Sequence, residues 1–319
     1  MDAAAPPTGK VTYFDTLAFG VCAGSAAAVL YTLSNVALRW AVGIDPYLVA
    51  AVKAVPTIVG LGPVIGMMIV GGRPLYRHRS TLPKFTAVAL VGQFIGNVAF
   101  QIALNHIGLA ASVPITLGTM VVSGALFGWW MLGELVSRRK WVAMAVLIAA
   151  VVVLSSGRGV DDSLPADRLP WWGGVCAATA GIAFGLFGTV MRGSLREGLS
   201  MWTAMFISGV VGTTGLWAFA VFRMGGEAIA AVPPEQWRVM AAAGAFNLAA
   251  FITLTASFRV LPVVAVNLIN ASQVALAGLA GVAFFDERVT AWLIAGVAMT
   301  FGGLLVLAGG KSNPGPTED

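Results

Sequence analysis

Residues 92–105 read GQFIGNVAFQIALN. Apart from two glycines and four amides, every residue in this stretch is apolar. Gln93, Asn97, Gln101 and Asn105 recur in steps of four, which sets them on one face of an α-helix. An amide is costly in lipid unless it finds a partner. Such a helix must turn its amide face to other helices or to a water-filled cavity. The sequence on either side reads as the wall of that cavity.

Composition agrees. The chain has 319 residues, of which 58% are hydrophobic and 10% charged. Its mean hydropathy is +0.86. A soluble domain carries about 25% charged residues, so a soluble fold of this length lacks the charge to cover its surface. The apolar stretches are continuous rather than alternating with period two, which excludes a lipid-facing barrel. The expected fold is an all-α polytopic membrane protein of ten transmembrane helices. The spans are Leu17–Leu38, Tyr47–Val70, Phe85–Leu104, Ala111–Leu132, Trp141–Ser155, Trp171–Met191, Leu199–Phe222, Val239–Ser257, Val263–Phe285 and Ala291–Ala308. Tight turns after the third and eighth spans make helical hairpins.

The net charge is +5. Its basic residues sit in short loops between spans, so the charge reads as a topology signal and not as a nucleic-acid surface. With the N-terminus in the cytoplasm, twelve of the nineteen Lys and Arg fall inside and six outside, with Lys53 within a span. Both termini are therefore expected in the cytoplasm, and the chain in an inner or plasma membrane. The first residues, MDAAAPPTGK, lack the pattern of a signal peptide. Cys22 and Cys176 fall inside spans, with no disulfide or metal-ligand spacing, and read as small buried hydrophobes.

The polar connector 158–170 divides the chain. A shift of 153 residues lays ALNHIGLAASVPI, from Ala103, on ASFRVLPVVAVNL, from Ala256, and Glu134 on Glu287. The expected organisation is a tail at 1–16, a first repeat at 17–157, the linker, a second repeat at 171–309 and a tail at 310–319. Five spans per repeat is an odd number, so the second repeat is inverted relative to the first. Inverted repeats with a site between them are a transporter architecture.

LGELVSRRKW at 132–141 and FFDERVTAWLIAG at 284–296 resemble the drug/metabolite transporter superfamily, in its ten-helix form with two EamA-type repeats. The resemblance spans roughly residues 17–309. Here Asp286–Glu287 replaces the usual Gly-Glu, and Thr119 and Ser272 stand where the family often has proline. The resemblance implies a carrier for a small metabolite. Members export amino acids or other metabolites, or move nucleotide sugars or phosphorylated sugars.

Candidate cavity residues follow from polarity within spans. Gln93, Asn97 and Gln101 offer donors and acceptors to a solute, or act as glue between helices. Lys53 lies about 10 Å along the second span. It either meets an anionic group in the cavity or snorkels to the headgroups. Asn267, Asn270 and Gln273 keep one face of the ninth span, opposite the first stripe. Asn247, Asn35 and Tyr31 are weaker additions, with Tyr31 a candidate gate. The second-half counterparts of the amide stripe, Phe246, Ala250, Leu254 and Phe258, are apolar, so the cavity is expected to have one polar and one greasy wall. Pro56, Pro63 and Pro114 interrupt helices and can bend them. Glu134 and Glu287 stand before the fifth and tenth spans, where a carboxylate suits the start of the following helix. His106, Trp40, Trp171 and Trp172 read as interfacial residues.

No nucleotide-binding loop, zinc-protease pair or nucleophile elbow is present. The chain reads as no enzyme, with no catalytic residue, no metal and no cofactor. The expected function is a secondary active or facilitative transporter, an exporter of a small polar or amphiphilic metabolite such as an amino acid, zwitterionic or anionic if Lys53 points inward. Its other partners are membrane lipids. Proton coupling, facilitated diffusion and exchange stay open, as do a non-transporting scaffold or receptor and a channel.

Overall fold

The computed structural model describes residues 17–134, 137–155, 169–258, 260–261 and 263–308. The two tails, most of the 158–170 linker, Arg259 and Pro262 lie outside the described residues.

The described chain is all α-helix. Its helices are α1 (Leu17–Trp40), α2 (Pro46–Val70), α3 (Thr81–Leu90), α4 (Val98–Leu132), α5 (Arg138–Ser155), α6 (Pro170–Arg196), α7 (Met201–Ala230), α8 (Pro234–Phe258), α9 (Val263–Phe285) and α10 (Ala291–Ala308). A π-helical segment, Val91–Asn97, joins α3 to α4 without a break. Six helical runs are long and apolar enough to cross a membrane, one of them the continuous run Thr81–Leu132, and three shorter apolar helices accompany them. Large apolar side chains such as Val70, Trp130 and Phe222 stand fully on the outside. This is the surface of a polytopic membrane protein, whose solvent is hydrocarbon.

Helix starts follow local rules. Pro46 opens α2, and Asp45 caps it by accepting from the N–H groups of Tyr47 (2.9 Å) and Leu48 (3.3 Å). Pro170 opens α6 in the same way. Pro56 and Pro63 lie within α2.

The most extensive pairings cross the chain: α4 with α6, α1 with α8, α2 with α7, and α5 with α10. The halves on either side of the linker are therefore interleaved. Small residues permit this. A Cβ on Gly185 of α6 would lie 2.1 Å from the Ser123 hydroxyl of α4, and one on Gly244 of α8 would lie 2.2 Å from the Lys53 carbonyl of α2. Without hydrophobic drive between helices in lipid, such close contacts carry much of the packing.

Two expectations, for Pro114 and Cys22, need correction. The expected turn between the third and fourth spans is present: Gly108 (φ 72°, ψ −174°) is non-helical and divides Val98–Leu132 into two helices. That left-handed conformation favours glycine. Pro114 lies six residues beyond this break, so the bend belongs to Gly108. A second such break at Gly225 (φ 78°) ends the seventh span near its expected bound, and a short further helical stretch runs on to Ala230. Cys22 is exposed on the apolar surface, and only Cys176 is buried.

Candidate functional site

The amide stripe begins in the π-helical segment. There the backbone bonds i→i+5, and such segments gather at functional sites. Gln93 and Asn97 still meet: Asn97 Nδ2 donates to Gln93 Oε1 at 2.9 Å. Gln93 Nε2 then donates to the Ser208 hydroxyl of α7 at 2.9 Å. On the other side, the Lys53 ammonium of α2 donates to Asn97 Oδ1 at 3.0 Å. Four side chains from three helical elements thus form one directed chain, Lys53 to Asn97 to Gln93 to Ser208. Gly212 makes room for it, since a Cβ there would lie 2.8 Å from the Gln93 amide carbon.

Lys53 does not snorkel. It is half-buried, and its head turns inward to an amide. Among the described residues its ammonium has no carboxylate partner; the ion pairs present join Arg39 to Glu287, Arg192 and Arg196 to Glu134, and Arg223 to Asp45. An ammonium has three donors, and one bond to a neutral amide satisfies only one. The charge is therefore uncompensated where charge is expensive.

Past the π-helical segment the stripe no longer acts as one wall. Gln101 is 3% exposed, and its Nε2 donates to the Leu38 carbonyl of α1 at 2.9 Å. Its Oε1 has no hydrogen-bond partner among the described residues. Gln101 and Asn105 line a cavity of about 230 Å³ under the α1–α2 connection, with Gly43, Ile44 and Asp45. The two ends of the stripe therefore serve different places.

The remaining candidates are scattered. Gln273 is buried and bonds Asn270. The side chain of Asn267 lies outside the described residues. Among the described residues no hydrogen bond joins the α9 amides to the first stripe. Tyr31, Asn35 and Asn247 are half-buried and hold no hydrogen bond to a described residue. Their neighbours instead tie α1 to α8: Ser34 Oγ donates to the Ala243 carbonyl, and Ser257 Oγ to the Gly20 carbonyl, both at 2.8 Å. His106 accepts from the Leu169 N–H at 3.3 Å beside the start of α6.

The two glutamates depart from expectation. Glu287 caps no part of α10. Its carboxylate accepts from the N–H groups of Leu109 (2.6 Å) and Ala110 (2.8 Å), the first donors after the Gly108 break. The break leaves those donors without helical partners, and Glu287 supplies them from 178 residues away. Glu134 pairs with Arg192 and Arg196 at the end of α6. Sequence reasoning also missed Ser208, because a serine in an apolar helix gives no periodic signal. Among the described residues no cluster of His, Cys, Asp or Glu could hold a metal ion.

A solved structure titled only as the crystal structure of a protein is similar in fold, with a TM-score of 0.60 at 18% identity, covering 90% of this chain and 95% of that one. No curated protein matches the chain in sequence. The EamA-like transporter family matches twice, over residues 18–156 and again over 171–309. Those matches take in both glutamates, Lys53 and the amide chain, and most of the sequence besides. The chain belongs to the EamA-like transporter family, and its general function is transport across a membrane.

Proposed function

We propose that the protein is a secondary transporter that exports a small polar or amphiphilic metabolite carrying a carboxylate, such as an amino acid. The observation that carries this reading is Lys53, a positive charge within the bundle met, among the described residues, only by the Asn97 amide. A substrate carboxylate can occupy the open donors of the ammonium, and the Asn97 and Gln93 amides can hold its polar remainder. A substrate of this kind compensates the charge for as long as it is bound.

Alternating access between two inverted five-helix repeats, at 17–157 and 171–309, is the mechanism proposed. The two family matches and the low-identity fold likeness support it. Both termini are assigned to the cytoplasm from the distribution of Lys and Arg. Gln101, Asn270, Gln273, Asn35, Tyr31, Asn247 and Asn267 remain candidate lining residues on other faces of the same pathway.

The test is uptake and efflux in reconstituted vesicles, with a panel of amino acids set against the matching amines that lack the carboxylate. Amino acids should move and the amines should not. Lys53→Met should abolish the difference while leaving the yield of folded protein intact. If wild-type protein moves none of the panel, the reading fails. An imposed pH difference in the same vesicles reads proton coupling directly.

A further inference from the structure

Among the described residues four ion pairs tie the first half of the chain to the second, and two of them are related by the internal repeat. Arg39, in the last turn of α1, pairs with Glu287 at 3.5 Å, and Arg192, near the end of α6, pairs with Glu134 at 3.2 Å. The interval from Arg39 to Arg192 equals that from Glu134 to Glu287, 153 residues. The turns that hold the glutamates repeat as well. Gly133 and Asp286, each just before its glutamate, are both left-handed (φ 68° and 52°). The N–H groups of Glu134 and Glu287 donate to the carbonyls of Gly128 and Gly281, each at 3.1 Å. Those two glycines face the carboxylates, with no room for a Cβ. One device is thus built twice, and each copy takes its arginine from the other half.

The two copies lie at opposite ends of the bundle. α6 starts beside His106 and Ile107, next to the residues that Glu287 caps. It ends at Arg192 and Arg196, beside Glu134. Its 27 residues separate the two places by about 40 Å.

They are not equally tight. The Arg39 and Glu287 side chains are 11% and 10% exposed, whereas those of Arg192 and Glu134 are 48% and 26% exposed. Arg39 also lies over the Phe285 ring, 5.5 Å from its centroid. The sequence differs between the two copies as well. The positions matching Leu109 and Ala110 are Pro262 and Val263, and proline has no N–H to give.

We infer that the Arg39–Glu287 and Arg192–Glu134 pairs are the two end latches of the transport cycle, parted one at a time, with the Arg39 end the firmly closed one. The inference rests on the transport reading. Opening one end parts the halves there, which breaks that end's pair, while the pair at the far end keeps the halves together. Both pairs are made in this structure, as an occluded arrangement requires.

The test uses full-length protein in vesicles, in a Cys22→Ala/Cys176→Ala background, with one reporter cysteine at a time. Gln101→Cys reports on the Arg39 end. Thr189→Cys, 1% exposed and one turn before Arg192, reports on the other. The rate of labelling by a small maleimide is measured. Glu287→Gln should raise the rate at Gln101→Cys about tenfold, an ordinary size for coupling between sites, and should not raise it at Thr189→Cys. Glu134→Gln should do the reverse. Arg39→Gln and Arg192→Gln repeat the test without disturbing the α4 cap, and each variant's melting curve checks its fold. Equal loosening at both reporters, or no change at either, overturns the latches. So does unfolding of the Arg39→Gln protein, which would make that pair a structural staple. Flux is not read here: a missing exchange of access sinks the latches even if transport is found, and missing flux sinks the transport reading alone.

Discussion

Gln93 stands between two hydrogen-bond partners, accepting from Asn97 and donating to Ser208, each at 2.9 Å. It is the joint through which α7 reaches the Lys53 charge. The chain runs in one direction, so each bond polarises the next. Lys53 is held in place by residues two and three links away, and this suggests where to intervene.

Removing the joint should loosen the site without touching Lys53. A double-mutant cycle of Gln93→Leu and Ser208→Ala is expected to give a coupling of about 0.6 kcal/mol, the average for such bonds in a membrane bundle. Unfolding in mixed micelles measures it. A coupling of zero would mean that the bond contributes nothing.

Close helix contact should make Gly244 intolerant. A Cβ there meets the Lys53 carbonyl at 2.2 Å, whereas Gly62 in α2 faces open space. Gly244→Ala should therefore destabilise by about 1–3 kcal/mol through overpacking. Gly62→Ala should be neutral or stabilise by up to about 1 kcal/mol. Thermal melting of the two variants side by side checks the contrast.

The glutamates should differ in the same assay. Glu287→Leu leaves two backbone donors and the Arg39 charge without their carboxylate, at a cost of about 3 kcal/mol or more. Glu134→Leu loses ion pairs to half-exposed arginines, worth about 1 kcal/mol or less. Equal melting losses would refute the distinction drawn from burial.

Orientation is open to direct measurement. Arg77 and Glu235 are both exposed, at opposite ends of the bundle under the positive-inside assignment. In the cysteine-free background, Glu235→Cys should react with an impermeant maleimide on intact cells, and Arg77→Cys only after permeabilisation. Reaction of both from one side would reject the assignment.

Much of the fold was legible because lipid imposes a coarse code. Long apolar runs mark helices, and all ten expected spans overlap helices in the structure. Lys53 was legible as a candidate because a lone cation in such a run has few reasons to exist. What was not legible came from backbone geometry and distant partners. Steps of four from Gln93 fit an α-helix, and nothing in the residue types announces that 91–97 is π-helical. The turn at Gly108 between the third and fourth spans was legible, but the partner of the donors it frees at Leu109 and Ala110, Glu287, was not. The Arg39–Glu287 pair leaves a trace in the sequence: the interval that matches the glutamates also matches Arg39 with Arg192.

The Glu287 cap also imposes an order of assembly. Leu109 and Ala110 enter the membrane with their N–H groups bare, and the carboxylate that satisfies them is 178 residues further along the chain. At about 5–20 residues per second the ribosome needs on the order of ten seconds or more to deliver it. Throughout that interval the bend at Gly108 must be sheltered by water, lipid headgroups or the insertion machinery. The last loop to be synthesised is thus the one that completes α4, and a chain truncated before Glu287 should be recognised as unfinished at the Gly108 bend as well as at its end.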